Sequence, residues 1–185
     1  MILYPTETIY ALGVNALDEV AVAELFKAKG RADGKAVSWL VRTIDDVERY
    51  GELSPRARRI AECFLPGPLT LVVPARAEVS RSVTASDGTI SFRISPDPIA
   101  QEVIADFMAQ HDAPLTCTSA NKSGEPTEST PEAILRQLGE MATLVDTVVD
   151  DGPRSGIAST VVKVVGDTVE IIRVGAIPAE YINAT

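Results

Sequence analysis

The alternation of strand-like and helix-like segments constrains the fold of this chain more than any other feature. Short apolar runs of strand length are separated by segments with apolar residues at helical spacing, and turn residues mark most of the boundaries. Near the C-terminus, residues 159–165 and 168–174 are predicted strands joined by a hairpin turn at Gly166-Asp167. Strands that alternate with helices and end in a hairpin predict a mixed α/β fold, in which helices flank a mixed sheet.

Helix caps and turn residues set the boundaries of the predicted elements. Ser54 followed by Pro55 is typical of a helix start, and residues 130–132 (Thr-Pro-Glu) have the same pattern. The predicted strands are residues 2–4, 36–41, 69–73, 89–95, 115–118, 145–149, 159–165 and 168–174, and the predicted helices are residues 18–29, 54–64, 130–139 and a segment that begins at Pro98.

Length and composition predict a single domain over residues 1–185. Domains cluster at about 100–200 residues, and no linker divides this chain. A hydrophobic content of 45% with 23% charged residues excludes a disordered chain. No apolar run approaches the roughly 20 residues of a membrane-spanning helix and no signal peptide is evident, so we expect a cytoplasmic protein without a membrane partner. Two cysteines without a Cys-x-x-Cys pair exclude a disulfide framework or a cysteine-based zinc site.

The charge distribution combines an acidic protein with one local group of lysines. The net charge of −9 argues against a protein that wraps a nucleic-acid backbone over its whole surface. Three of the five lysines, however, lie within nine positions: Lys27, Lys29 and Lys35. This group fits either an anion site or a solvent-exposed helix end, and charge alone does not choose between them.

Several common catalytic devices are absent from the sequence. The segment from Gly30 to Ala36 has three residues between its glycines and no hydroxyl after the lysine, so it is not a Walker A loop. No Gly-x-Gly-x-x-Gly fingerprint occurs. The single histidine, His111, is predicted to lie in a solvated loop, and Cys117 is predicted to be a small core residue rather than a nucleophile.

The remaining polar and cationic residues occur mainly in turns between elements. Each of them also fits a plain turn or an exposed strand face, and Arg93 is predicted to lie mid-strand on a polar face. Together their chemistry suits a polyphosphate, because lysine and arginine neutralise it while hydroxyls, amides and loop N–H groups complete an anion site. No covalent nucleophile or general base stands out, which favours catalysis by positioning and electrostatics at a phosphorus centre.

A set of short motifs resembles the YrdC/TsaC family of threonylcarbamoyl-AMP synthases in its single-domain form. The motifs occur in the family's order and together extend over about residues 3–177. They are Tyr4-Pro-Thr-Glu-Thr-Ile-Tyr-Ala-Leu-Gly13, Lys29-Gly-Arg31, Leu65-Pro-Gly-Pro-Leu-Thr-Leu71, Ser119-Ala-Asn121-x-Ser-Gly124, Gly156-Ile-Ala-Ser-Thr-Val161 and Arg173-x-Gly175. The resemblance implies a twisted mixed sheet flanked by helices, with a concave basic cavity.

The resemblance also implies an activity, namely that of a nucleotidyltransferase. Such an enzyme would use L-threonine, bicarbonate and ATP to make threonylcarbamoyl-AMP and pyrophosphate. Mg²⁺ would accompany the ATP, bound mainly through phosphate oxygens and water, without a protein metal ligand. A threonylcarbamoyl-transferase complex would then modify tRNA to N6-threonylcarbamoyladenosine, so this chain would serve tRNA only indirectly.

The family's functional positions can be carried over residue by residue. Lys29 and Arg31 would be the catalytic pair and, with Lys35, would face the phosphates. The other implied ATP-binding residues are Thr89, Ser119, Asn121, Thr127 and Arg173, and the implied threonine-binding residues are Thr8, Arg93 and Ser159.

Departures from the family's pattern leave two alternatives open. Ala11, Ala32, Ala36 and Ala158 stand where the family usually has glycine, proline, proline and glutamate, and Leu40 stands at a position that is often histidine. Because Ala11 and Leu40 alter the threonine side, a sister enzyme that forms a carbamoyl-adenylate with a different acceptor remains possible. The other alternative is an RNA-binding module of the same fold without turnover, although the net charge of −9 weighs against it.

Overall fold

Two mixed β-sheets form the framework of the computed structural model, which describes residues 1–30 and 37–185. The described strands are β1 (Ile2–Tyr4), β2 (Ala11–Gly13), β3 (Ser38–Leu40), β4 (Leu69–Pro74), β5 (Thr89–Arg93), β6 (Leu115–Thr116), β7 (Thr118–Ser119), β8 (Thr147–Val148), β9 (Thr160–Val165) and β10 (Thr168–Arg173). The larger sheet has the order β10-β9-β4-β5-β3-β6, and the smaller one has the order β7-β2-β1-β8. Both sheets contain parallel and antiparallel pairs, as the predicted mixed α/β class requires.

Helices flank these sheets, and side-chain caps define most of their N-termini. The described helices are α1 (Glu19–Ala28), α2 (Ile44–Tyr50), α3 (Pro55–Phe64), α4 (Pro98–His111), α5 (Pro131–Leu138) and α6 (Ala179–Ala184), with 3-10 turns at Arg81–Val83 and Gly139–Leu144. Ser54 accepts a hydrogen bond from the N–H of Ala57, and Thr130 accepts one from Ala133. These contacts confirm the two predicted caps. None of the helices in the described ranges is both long and apolar enough to cross a membrane.

The two faces of the larger sheet differ sharply in polarity. On one face, Trp39, Leu71, Phe92 and Val162 are fully buried in the hydrophobic core. Side chains alternate along a strand, so the neighbouring residues in β3, β4 and β5 point to the opposite face. Cross-strand pairing places Ser38 beside Ser91 and Leu40 beside Arg93 there. The second face therefore combines hydroxyl groups with a buried arginine.

The structure differs from the predicted elements at several boundaries. Strand β2, helices α2 and α6, and the two described 3-10 turns were not predicted. Helix α2 begins with a capping box in which Thr43 and Asp46 bond reciprocally. The predicted strand at residues 115–118 is divided at Cys117, because β6 pairs with β3 in the larger sheet while β7 pairs with β2 in the smaller one. The strand predicted at residues 89–95 ends at Arg93.

We expect Phe92→Ala to lower the free energy of unfolding by about 3–5 kcal/mol, because it opens a cavity in the core where Phe92 packs edge-on against Trp39. Urea unfolding followed by circular dichroism measures this change. As a control, Val20→Ala on the exposed side of α1 should change the value by less than about 0.5 kcal/mol. A Phe92→Ala effect as small as that of the control would contradict the assignment of this sheet face to the core.

Candidate functional site

A cavity of about 660 Å³ lies over the polar face of the larger sheet. Residues of the β1–β2 turn and of β7 also line it. This volume is within the range of about 300–1,000 Å³ that is typical of small-molecule sites. Its described lining is rich in hydroxyl groups, with Arg93, Arg173 and Lys163 as the cations and Asp87 as a carboxylate. The described lining thus suits an anionic ligand with several hydrogen-bonding groups.

The structure brings most of the predicted site residues to this cavity. Those that line it are Thr89, Arg93, Ser119, Asn121, Thr127, Ser159 and Arg173. Thr8 and Lys29 bond directly to lining residues, Arg93 in the first case and Ser119 and Asn121 in the second. Arg31 and Lys35 lie outside the described residues. Four of the described residues, namely Thr89, Arg93, Ser119 and Arg173, are the first or last residue of a strand.

Arg93 is the best-supported member of this set. It lies on the predicted polar face, but it is the last residue of β5 rather than mid-strand as predicted, and it is only 5% exposed. One of its terminal nitrogens, Nη2, donates to the Glu7 carboxylate, and Nη1 donates to Thr8 Oγ1 at 3.3 Å. Its Nε–H is buried without a partner within the described structure. Glu7 and Thr8 therefore hold the guanidinium in the cavity wall.

The turn between β1 and β2 is rigidly built around Glu7 and Thr8. Thr6 Oγ1 donates to the carbonyl of Ile9 at 2.7 Å and accepts from the N–H of Thr8. The N–H of Gly156 donates to the carbonyl of Thr8 at 2.8 Å. A Cβ at Gly156 would lie 2.5 Å from that same oxygen, so glycine is needed for this close approach.

Lys29 ties the end of α1 to the loop that follows β7. The side chain is buried, and its Nζ donates to the carbonyl of Ser119, to that of Asn121 at 2.7 Å and to Asn121 Oδ1 at 3.2 Å. Ser119 Oγ also donates to Asn121 Oδ1 at 2.6 Å. The predicted Lys-x-Arg and Ser-x-Asn elements are therefore in contact through Lys29. The contact of Lys29 with phosphates stays a prediction.

A second polar group lies where β9 and β10 meet the cavity. Ser159 Oγ lies 2.8 Å from Thr70 Oγ1, and Arg173 Nη2 donates to the carbonyl of Ser159 at 2.8 Å. Burial lowers the pKa of Arg173, and the nearby charge of Arg93 lowers it further. A buried cation beside a second positive charge is an environment that favours a bound anion.

Sequence reasoning missed several polar residues of the cavity, chiefly Ser38, Thr70, Asp87, Ser91 and Lys163. Ser91 Oγ donates to Ser38 Oγ at 3.0 Å, and Lys163 Nζ donates to Asp87 Oδ2 at 2.6 Å. The alternation along β5 that placed Arg93 on a polar face applies equally to Ser91, so that residue could have been found. The cross-strand partners could not, because they depend on strand order.

Cys117 and His111 were predicted to be a buried core residue and a solvated residue, respectively. Cys117 is buried, and burial raises the pKa of its thiol. The thiol therefore ionises less readily to the nucleophilic thiolate. His111 is exposed, as predicted, but it is the last residue of α4 rather than part of a loop, and its ring lies 4.4 Å from that of Phe107.

A protein-family model and a curated relative match almost the entire chain. The Sua5/YciO/YrdC family model, described as "Telomere recombination", matches residues 1–175. The threonylcarbamoyl-AMP synthase of Pyrococcus abyssi is 32% identical over 185 residues, which cover 99% of this chain and 52% of that protein. This chain thus spans about half the length of that curated relative.

Solved structures of related proteins have the same fold over nearly the whole of this chain. The crystal structure of P. abyssi Sua5 complexed with L-threonine superposes with a TM-score of 0.86 at 31% identity, over 99% of this chain and 52% of that one. Full-length HypF in its phosphate- and nucleotide-bound form matches with a TM-score of 0.76 at 25% identity, over 94% of this chain and 26% of HypF. Because the family model and these alignments cover nearly all of its length, the chain belongs to the Sua5/YciO/YrdC family, as the motifs predicted.

Proposed function

We propose that this chain is an L-threonylcarbamoyladenylate synthase, which makes threonylcarbamoyl-AMP and pyrophosphate from L-threonine, bicarbonate and ATP. The observation that supports this most is the meeting of three groups in one cavity: the Lys29-bound loop at Ser119 and Asn121, the Arg173–Ser159 pair, and Arg93 held by Glu7 and Thr8. The name of the P. abyssi relative, and the L-threonine in its structure, agree with this assignment.

The amino-acid end of the proposed site is the region around Arg93. The guanidinium of Arg93 would bind the carboxylate of threonine, while Thr8 and Ser159 supply hydroxyls to the same site. The Glu7 carboxylate holds the guanidinium of Arg93 through one oxygen. Ser95 Oγ donates to the other oxygen of Glu7. Since Arg93 and Glu7 neutralise each other, the guanidinium can stay buried before the substrate arrives.

The nucleotide end of the proposed site comprises Ser119, Asn121, Thr127, Thr89 and Arg173. The structure of HypF, about a quarter of which matches this chain, contains phosphate and nucleotide, which agrees with a nucleotide substrate. Lys29, Arg31 and Lys35 are proposed to face the phosphates, as the family resemblance implies. The described lining contains mainly hydroxyls, amides and cations, and its carboxylate, Asp87, is paired with Lys163. This donor set fits phosphate oxygens rather than a metal ion, so we propose that Mg²⁺ enters as part of the MgATP substrate.

The proposed reaction needs no covalent intermediate on the protein. The threonine amine would attack CO₂ derived from bicarbonate, forming the N–C bond of a carbamate and releasing a proton. A carbamate oxygen would then attack the α-phosphorus of ATP. The bond between the α-phosphorus and the oxygen that bridges it to the β-phosphorus would break, which releases pyrophosphate. The cavity's part in this is to hold the carboxylate at Arg93 and the phosphates at the cations, so that the reacting atoms are adjacent.

We also propose where the product of the reaction goes. The adenylate would pass to a threonylcarbamoyl-transferase complex in the cytoplasm, which would modify tRNA to N6-threonylcarbamoyladenosine. This chain would then need no tRNA surface of its own, in keeping with its net charge of −9.

Pyrophosphate release from ATP tests the proposed function directly. We expect release only when both bicarbonate and L-threonine are present, because the carbamate is the attacking group, and less release with L-serine. Release that ignores threonine would indicate the sister enzyme with another acceptor. No release under any condition would contradict an enzyme and favour the RNA-binding alternative, which an RNA titration then checks.

Arg93→Lys tests the amino-acid end of the site in the same assay. Lysine keeps the positive charge beside Glu7 but loses the planar guanidinium, so we expect the KM for threonine to rise about tenfold or more. The KM for ATP should change much less, which separates this role from general damage. Arg136→Lys, on the exposed side of α5, serves as the matched control. Equal changes in both KM values would contradict the assignment of Arg93 to the threonine carboxylate.

A further inference from the structure

The segment that joins β8 to β9, residues 150–158, has no regular secondary structure and forms a strap on the surface. None of its residues is buried, and Ile157 is 70% exposed. No side chain of the strap belongs to either hydrophobic core. Polar contacts therefore hold the strap, and a segment held in this way opens at a much smaller cost in free energy than the core.

The first of these contacts comes from Tyr10, a residue of the cavity wall. Its ring is fully buried and lines the cavity. The Tyr10 hydroxyl donates to the carbonyl of Gly152 at 2.8 Å and accepts from the N–H of Asp151 at 3.1 Å. The N-terminal part of the strap is thus bonded directly to a side chain of the cavity.

The second contact is made by Arg154 in the middle of the strap. Its backbone N–H donates to the carbonyl of Ser129 at 2.8 Å, and its Nη2 donates to Asp97 Oδ2 at 3.4 Å and to the carboxylate of Asp151. The other oxygen of Asp97, Oδ1, accepts from two backbone N–H groups at the start of α4. One carboxylate therefore both caps α4 and holds the strap, with a separate oxygen for each task.

The third contact places the strap at the amino-acid end of the cavity. The N–H of Gly156 donates to the carbonyl of Thr8 at 2.8 Å. Ala158, the last residue of the strap, lines the cavity, and the next residue is Ser159. Thr8 and Ser159 are the two hydroxyl residues of the proposed threonine site. The strap is therefore part of the wall beside that site.

We propose that the strap opens and closes as a unit at this end of the cavity, admitting the amino acid when open and retaining it when closed, and that Tyr10 and Asp97 are positioning residues that keep it closed. This inference rests on the proposed function, since it assumes that an amino acid binds beside Thr8 and Ser159. Hydrogen bonds at the surface stabilise the closed strap only modestly, so it opens without unfolding of the core. A bound amino acid favours the closed form because that form contains the complete site.

Amide hydrogen exchange of the unaltered protein, measured by NMR, tests the opening of the strap. The N–H groups of Asp151, Arg154 and Gly156 bond to the rest of the protein, so each reports this opening. We expect them to share one degree of protection and to exchange at least about a hundredfold faster than the amides of β4. L-Threonine at about ten times its dissociation constant should slow all three about tenfold, because it binds the closed form.

Asp97→Asn tests the contact with Arg154 without removing the helix cap. Asparagine keeps the oxygen that caps α4 but replaces Oδ2 with a donor, so the protection of the strap amides should fall about threefold to tenfold. Tyr10→Phe keeps the ring, loses both hydrogen bonds to the strap and should have the same effect. Asp18 caps α1 through Oδ1 in the same way, so Asp18→Asn is the matched control and should leave the strap amides unchanged.

The rates of threonine binding give a readout that general damage to the site would not produce. If the strap controls entry and release, Asp97→Asn and Tyr10→Phe should raise both the association and the dissociation rate constants about threefold to tenfold. The dissociation constant should change less than about twofold, because the free and the bound protein are both mainly closed. NMR line shapes in a threonine titration measure these rates. Weaker binding with an unchanged association rate would contradict the role of these residues in gating.

The outcomes separate this proposal from the function on which it rests. Strap amides that exchange no faster than those of β4 would overturn the proposal while leaving the synthase activity intact. If calorimetry shows that threonine binds but the strap amides do not slow, the strap does not close over the amino acid and the proposal is wrong. If threonine does not bind at all, the proposed function fails and the proposed gating of threonine fails with it.

Discussion

The alternation of side chains along β5 is the constraint on which both the core and the candidate site depend. Phe92 is fully buried against the core, whereas Ser91 and Arg93 on either side of it line the cavity. A slip of one residue in the pairing of β5 would exchange these faces, placing a guanidinium in the core and a phenyl ring in the cavity. The packing energy of the core therefore also fixes the position of Arg93.

Pairing of β5 with its neighbours extends this constraint across the sheet. Leu71 of β4 lies opposite Phe92 of β5, so the residue before it, Thr70, faces the cavity. Thr70 bonds there to Ser159, the residue before β9. On the other side, β3 brings Ser38 next to Ser91. Ser38, Thr70, Ser91 and Arg93 are thus each placed in the cavity wall by the register of the core residues beside them.

Sequence reasoning succeeded where the relevant interaction is local. Caps such as Ser54 with Pro55 were visible because the bonded groups lie within three residues of each other. It failed where pairing is distant: Asp87 and Lys163 are 76 positions apart, and Glu7 and Arg93 are 86 apart. Neither partner choice follows from periodicity, since it depends on strand order and register. The family resemblance implied roles for Arg93 and Ser159, but none for Glu7 and Thr70, which bond to them.

The acidic chain has a locally cationic site. The net charge of −9 belongs to the whole molecule, while Arg93, Arg173 and Lys163 are concentrated in the described cavity lining. Lys29, buried beside that lining, adds a fourth positive charge. Glu7 and Asp87 balance part of this charge and at the same time set the direction in which Arg93 and Thr89 present their polar atoms.

The central claim is that one cavity holds a nucleotide and an amino acid side by side. Calorimetric titration of L-threonine into the protein, with and without an ATP analogue that has a methylene group between the α- and β-phosphorus atoms, tests it most directly. The account predicts one threonine and one analogue bound per chain at the same time, with threonine bound at least as tightly when the analogue is present. Mutually exclusive binding, or binding of neither ligand, would contradict it.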